Sequence, residues 1–233
     1  MIINKAMILA AGLGSRMAPI TNKIPKPLVK IGKSNLLDQA INLLINHGVE
    51  NIVINVHHLA DQIENFIKKK EYKINISISN ERKELLNTGG GILQATRDFK
   101  DEPFFVLNPD TMWTNIYNQE IELLKELYNK FQKTSLLLVD KNLSFDNSFK
   151  GDFNLSEKNF VSRDNINQFI FTGLQILNRG VFESIDKKIF SMNIVWNNLI
   201  SSNSLLGLES KQKFYHVNTK DIYDKLKDKN IIY

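Results

Sequence analysis

Cysteine is absent from all 233 residues. Disulfides and thiolate metal ligands are therefore excluded. No apolar run approaches the roughly 18 residues that a membrane-spanning helix needs. The first residues, Met-Ile-Ile-Asn-Lys, lack the charged, apolar and small-residue zones of a secretory signal. A cytoplasmic protein without a membrane partner is the expectation. A continuous basic stripe is also missing. The net charge is +5, but the lysines are scattered, and Lys68, Lys69 and Lys70 have Glu64 and Glu71 beside them. A nucleic-acid partner is not expected.

What is present is a globular composition, 42% hydrophobic and 24% charged, enough to bury one large core. Apolar runs and period-two stretches predict strands at Lys5–Ala10, Asn51–Val56, Lys73–Ser79, Phe104–Leu107 and Ser135–Val139. Helical spacing predicts helices at Leu36–Asn46, Leu59–Lys69, Gly90–Thr96 and Ile116–Phe131. His47 and Gly48 close the first of these. Strands alternating with helices imply an α/β fold with a doubly wound, mostly parallel sheet. The rhythm changes at Lys141. Strands at Gly151–Leu155, Asn159–Ser162 and Gln168–Leu177 follow without helices between them, which predicts a small mixed β lobe. Helices at Phe190–Ser201 and Asp221–Lys229, with a strand near Lys213–Val217, complete the reading. Without repeats or a long linker, residues 1–233 read as one domain, with a core at 1–140 and the lobe and C-terminal helix at 141–233. Ile222, Tyr223 and Leu226 form an apolar stripe on that helix, read as core.

A glycine-rich loop follows the first strand. Ligands of open parallel sheets bind beyond the carboxyl ends of the strands, and this loop sits at such an end. Gly12 and Gly14 allow a tight turn whose N–H groups cradle a phosphate. Arg16 adds a forked cation and Lys26 a compact one. Pro25 and Pro27 stiffen the chain around Lys26. Met17 replaces the last glycine of the dinucleotide fingerprint, and the Walker ending is absent, so neither of those ligand modes is expected. Lys23 lies outside the pattern and is read as surface.

The stretch LAAGLGSRMAPIT, followed by IPKPL, resembles the signature of sugar-1-phosphate nucleotidylyltransferases. NVHHLADQI, NTGGGI, NPDTMW, GDF and FTGLQIL continue the resemblance in family order over nearly the whole chain. It is most like the compact N-acetylmuramate-1-phosphate uridylyltransferases. The mannose- and heptose-1-phosphate guanylyltransferases are the alternative, as is a catalytically weak protein that only binds nucleotide sugars. The resemblance implies a Rossmann-like nucleotidyltransferase fold, with a nucleoside triphosphate and a sugar-1-phosphate as partners. Arg16 and Lys26 are its implied catalytic cations, for the β,γ-phosphates and the α-phosphate. Nucleotide contacts are implied for Ala10, Ala11, Gly12, Gly14, Ser15, Thr88, Gly89, Gly90 and Asn108. Three consecutive glycines at 89–91 allow flat contact with a base or sugar. Asp152, Thr172 and Gly173 are implied acceptor-sugar residues, which makes the later segment the sugar-binding lobe.

Asp110 matches the family's metal-binding aspartate, and Mg²⁺ suits one or two carboxylates with waters and phosphates. The sequence departs from the family at three points. Pro109 stands where glycine or serine is usual, and Asn87 where an acid is common. His216 occupies the place of a second metal aspartate, with Asn218 in a glycine place. Imidazole suits Mn²⁺ or Zn²⁺ better than Mg²⁺. Three readings stay open here: Asp110 alone holds Mg²⁺, a softer metal is preferred, or the protein binds without turnover. Adjacent His57 and His58 point opposite ways on an extended chain and are not expected to share a metal. One is read as packed inside, the other as lining the nucleotide site.

Overall fold

Alternation along each long strand sends one set of apolar residues to each face of the sheet. The structure, a computed structural model, describes residues 1–227. In chain order the elements are β1 (Lys5–Leu9), β2 (Lys30–Ile31), β3 (Ser34–Asn35), α1 (Leu36–Asn46), β4 (Asn51–Val56), α2 (Ala60–Lys70), β5 (Asn75–Asn80), α3 (Asn87–Ala95) and β6 (Phe104–Leu107). After these come α4 (Asn118–Phe131), β7 (Thr134–Asp140), β8 (Asn154–Leu155), β9 (Val161–Ser162), β10 (Phe169–Leu177), α5 (Met192–Ser201), β11 (Leu205–Ser210) and α6 (Lys220–Leu226). Seven strands form one sheet in the order β11-β7-β10-β6-β1-β4-β5. All neighbouring pairs are parallel except the two made by β10.

Ala6 and Ile8 of β1 join Ile52 and Ile54 of β4 in a core covered by α1, α2 and α4. Met7 and Val53 point to the opposite face and pack with α3 and α5. The helices over both faces are what a doubly wound sheet requires. A third, smaller core lies under the glycine-rich loop, where Met17, Val29 and Leu36 meet Val217, Ile222 and Leu226. The apolar stripe of α6 is thus core, and it supports the loop from below. The helix begins where the Thr219 hydroxyl accepts from Ile222 N, a cap worth about 1 kcal/mol.

Several sequence expectations are corrected. Of the strands expected in the small lobe, only β8 and β9 pair there. Phe169–Leu177 instead runs antiparallel between β6 and β7. Its apolar residues face both ways and need helices on both sides, which only the central sheet offers. No strand spans 213–217; Phe214 and His216 make isolated bridges to Ser144 and Thr111. The strand of that region is β11, earlier in the chain. Leu205, Leu206 and Leu208 fill an edge position beside β7, and Gly207 sits where a Cβ would meet Leu138 and Leu155 side chains at 2.7 and 2.9 Å. Helix α3 starts at Asn87, three residues before the expected start. Of the expected C-terminal helix, Asp228 and Lys229 lie outside the described residues.

Candidate active site

A cleft of about 570 Å³ opens beyond the carboxyl ends of β1, β4, β5 and β6. Ala10, Ala11, Gly12, Gly14, Ser15, Arg16 and Lys26 line it from the glycine-rich loop, and Thr88, Asn108 and Asp110 from the other side. The loop's shape has a local cause. Gly14 has φ +65°, and a Cβ there would meet Thr21 Cγ2 at 2.9 Å. Its carbonyl accepts from Thr21 Oγ1 at 2.9 Å and from Met17 N at 2.8 Å. Gly12 has nothing within 4 Å of a Cβ position, so the room in front of it is part of the cleft. Arg16 is exposed and has no side-chain hydrogen bond or ion pair to the described residues. Its guanidinium is available to an anion.

Lys26 and Asp110 meet across the cleft floor. The buried rings of Pro25 and Pro27 hold the backbone on either side of Lys26. Its Nζ lies 2.5 Å from Asp110 Oδ2. Asp110 follows β6 and is fixed by its carbonyl, which accepts from Val217 N at 2.8 Å. The same pairing of 110–112 with 215–217 brings His216 Nε2 to 3.0 Å from Asp110 Oδ2. Burial pushes the Asp110 carboxyl up, but the Lys26 charge, then the charge and hydrogen bond of His216, outweigh it. The group is held well below the usual carboxylate range. Asp110 Oδ1 and His216 Nδ1 are buried and have no hydrogen-bond partner among the described residues.

A buried polar chain ties the strand ends together, and sequence reasoning missed it. Asn55 Oδ1 accepts from Ala10 N at 2.8 Å, and Asn55 Nδ2 donates to Glu81 Oε1 at 2.7 Å. Glu81 Oε2 accepts from Leu86 N at 3.0 Å. Both side chains are 2% exposed and both line the cleft. An asparagine inside the otherwise apolar strand Ile-Val-Ile-Asn-Val was the available signal, since buried amides need partners. Leu13, Leu85 and Ile189 line the cleft as well and remain exposed. They are apolar surfaces facing a ligand space.

Other expected site residues do not reach the cleft. Gly89 N and Gly90 N both donate to Phe190 O, at 2.9 and 3.1 Å. A Cβ on Gly89 would lie 2.3 Å from the Phe190 ring, and one on Gly90 2.2 Å from Lys188 O. These glycines allow α3 to pack on the 188–190 segment rather than offering a flat surface to a base. Thr88 remains in the wall, although its Oγ1 accepts from Met192 N at 2.9 Å. Thr172 is buried and donates its hydroxyl to Leu137 O at 2.8 Å. Gly173, with φ +98°, lies against Asn108, whose Cβ would be 2.9 Å from a methyl. Both position the β6 end from behind. Asp152 is exposed and accepts from Phe171 N at 2.9 Å, away from the cleft. His57 and His58 bond the carbonyls of Glu81 and Thr21 at 2.7 Å; neither lines the cleft. Imidazoles holding backbone carbonyls are loop anchors.

The resemblance implies a divalent cation, and the donors present can be tested against one. Asp110 Oδ2 and His216 Nε2 converge, and the other carboxylate oxygen, Oδ1, is buried with no partner among the described residues. One carboxylate and one imidazole, with phosphate oxygens completing the shell, fit such an ion. Among the described residues no group of three or more His, Asp or Glu forms a closed metal cage. Nor is any helix among them long and apolar enough to cross a membrane.

The profile of the family described as Nucleotidyl transferase matches residues 5–144. The N-acetylmuramate alpha-1-phosphate uridylyltransferase of Caulobacter vibrioides is 31% identical over 219 residues, covering 91% of this chain and 90% of that protein. Mannose-1-phosphate guanyltransferase beta-B of Xenopus laevis is 36% identical over 111 residues, 46% of this chain and 31% of that one. Among solved structures, HddC of Yersinia pseudotuberculosis in complex with GMP-PN superposes with a TM-score of 0.74 at 23% identity, over 96% of this chain and 98% of that one. That last likeness is one of fold.

Proposed function

The chain belongs to the sugar-1-phosphate nucleotidylyltransferases, and we propose that within them it joins UTP to N-acetylmuramate-1-phosphate. The observation that carries the phosphate chemistry is the Lys26–Asp110 pair in a glycine-walled cleft, with His216 bonded to Asp110 and Arg16 lining the same cleft unpaired among the described residues. The choice of base and sugar rests on the uridylyltransferase relative, which matches from end to end. The guanyltransferase relative matches over 31% of its own length. Its existence makes GTP with mannose- or heptose-1-phosphate the second reading.

In the reaction, a phosphate oxygen of the sugar-1-phosphate forms a bond to the α-phosphorus. The bond from that phosphorus to the oxygen bridging the β-phosphorus breaks, and pyrophosphate leaves with the electron pair. The obstacle is bringing two polyanions together, so positioning and charge neutralisation dominate. Arg16 takes the β- and γ-phosphates and stays with the departing pyrophosphate. Lys26 turns from Asp110 to the α-phosphate, where charge builds. The Gly12–Gly14 turn presents N–H groups to the phosphate chain. Asn55 and Glu81 hold the ends of β1 and β5 so that these donors keep their places. Leu13, Leu85 and Ile189 exclude water from the nucleoside. Asp110 with His216 would hold the divalent ion, Mg²⁺ or Mn²⁺, which when bound neutralises phosphate charge. The test is pyrophosphate release from each nucleoside triphosphate with a panel of sugar-1-phosphates. Release with UTP and N-acetylmuramate-1-phosphate alone is the expected result; release with GTP and a mannose- or heptose-1-phosphate replaces it with the second reading.

A further inference from the structure

The donor set at the cleft floor is unusual in one respect. It offers one carboxylate and one imidazole where two carboxylates would suit Mg²⁺ best. Among the described residues Asp110 is the one carboxylate in contact with His216, and its Oδ2 already faces both Lys26 Nζ at 2.5 Å and His216 Nε2 at 3.0 Å. The imidazole is held in place without a second hydrogen bond. Its ring stacks on Phe214 with centroids 5.7 Å apart and a 19° tilt, and Phe149 approaches it at 5.6 Å. Neither ring competes for a nitrogen. Asp146, a further carboxylate that acts on His216, is already taken: its Oδ2 accepts from Asn218 Nδ2 at 2.7 Å and its Oδ1 from Ser148 N at 2.9 Å.

We propose that this site selects a transition-metal dication, Mn²⁺ above all, over Mg²⁺, with His216 as an inner ligand beside Asp110. The inference rests on the metal-dependent nucleotidyl-transfer reading above and deepens it. Three observations converge. Among the described residues Asp110 Oδ1 is buried without a partner, which leaves the carboxylate an oxygen to spare, and His216 Nδ1 makes no bond that would turn Nε2 away from Asp110. The 3.0 Å separation of Asp110 Oδ2 and His216 Nε2 lets one ion touch both, because adjacent ligands of an octahedral ion with bonds of about 2.1 Å lie about 3 Å apart. Nitrogen donors favour Mn²⁺ over Mg²⁺, while Mn²⁺, unlike softer ions, also suits phosphate oxygens and water. Packing against Phe149 and Phe214 adds an apolar wall that a carboxylate in this place would have to tolerate.

The deciding experiment is electron paramagnetic resonance on the full chain with MnCl₂ and a non-hydrolysable triphosphate analogue, uridine or guanosine, whichever binds by calorimetry. Protein labelled with ¹⁵N-histidine is compared with unlabelled protein. A histidine nitrogen coupling on Mn²⁺ that changes with the label is the expected result. Competition by MgCl₂ in the same samples should leave Mn²⁺ bound at a clear excess of Mg²⁺. His216→Asp should abolish the coupling and reduce the Mn²⁺ preference by about tenfold or more, the scale on which altering a metal's ligand environment changes affinity. Mn²⁺ bound without any histidine coupling, or an equal metal preference in wild type and variant, overturns the proposal. The wild-type spectrum decides even if the variant fails to fold. Histidine-coupled Mn²⁺ in a protein that releases no pyrophosphate would uphold the metal assignment and remove the functional reading. Pyrophosphate release with Mg²⁺ and no such coupling would do the reverse.

Discussion

Lys26 Nζ and Asp110 Oδ2 lie 2.5 Å apart, across 84 residues of sequence. The ammonium is thus held at the floor of the cleft by the same carboxylate that the metal reading needs. This pair joins the loop after β1 to the end of β6 and sets the spacing of the proposed catalytic groups. Lys26→Ala should lower kcat by about 10²–10³-fold, the loss seen when one preorganised charge-stabilising donor is removed. Circular dichroism should stay native, because His216 still faces Asp110. Turnover near the wild-type rate would remove Lys26 from the mechanism.

Arg16 makes the opposite kind of prediction. It is exposed and unpaired among the described residues, so Arg16→Ala should change stability by no more than about 0.5 kcal/mol. Nucleotide binding should weaken, read as a higher KM for the triphosphate together with slower turnover. Arg16→Lys should recover only part of the loss, since the guanidinium fork grips two phosphate oxygens at once. A variant with unchanged kinetics would place Arg16 outside the site.

Two glycines separate packing from function. A Cβ at Gly90 meets the Lys188 carbonyl, a backbone atom that cannot swing aside. Gly90→Ala should destabilise the protein by about 1–3 kcal/mol, seen as a lower urea midpoint. Gly12 faces open space, so Gly12→Ala should leave the midpoint in place while activity falls. If the two variants behaved alike, the distinction drawn between the cleft wall and the α3 packing surface would fail.

Removing Asn55 breaks two buried hydrogen bonds at once. Asn55→Ala leaves Ala10 N and Glu81 Oε1 without their partner, a cost of about 1–3 kcal/mol for each buried group left unsatisfied. Chemical denaturation measures the loss. A companion Glu81→Gln keeps the shape but only one of the two acceptors, so its amide N–H faces a donor, Asn55 Nδ2 or Leu86 N, and it should also lower the midpoint.

The Asp110 carboxyl has a folded pKa lowered from its ordinary value by Lys26 and His216 against the effect of burial. A lowered pKa means that Asp110 contributes stability above the unfolded carboxylate's value, about pH 4. That contribution is lost as pH falls through the folded value. The melting-temperature difference between wild type and Asp110→Asn should therefore be largest near neutrality and shrink on acidification below about pH 4. A difference that grew with acid would contradict the assigned ion pair.

Much of the site was legible before the fold. The glycine-rich loop with Arg16 and Lys26 could be placed because it follows an apolar strand, and strand ends of one parallel sheet gather at one side; Asn108 and Asp110 were pointed to by the resemblance. Asn55 and Glu81 were not read as site residues. Their role depends on which strand ends lie next to each other, and that neighbour relation is not local in sequence. The glycines at 89 and 90 were read toward the ligand because a missing side chain looks the same from either side. Only the approach of Phe190 and Lys188 shows which side is filled.

The sequence by itself determined the alternation of strands and helices, the phosphate-type loop and the residue types that stand in it. Those follow from periodicity and from the backbone freedom of glycine and proline, which act over a few residues. The tertiary structure decided that β10 enters the sheet antiparallel and that β11 completes its edge. It also decided that Thr172 and Gly173 stand behind the cleft, and that His216 reaches Asp110. Strand direction and side-chain convergence depend on which distant surfaces bury one another, and no window along the chain contains both surfaces.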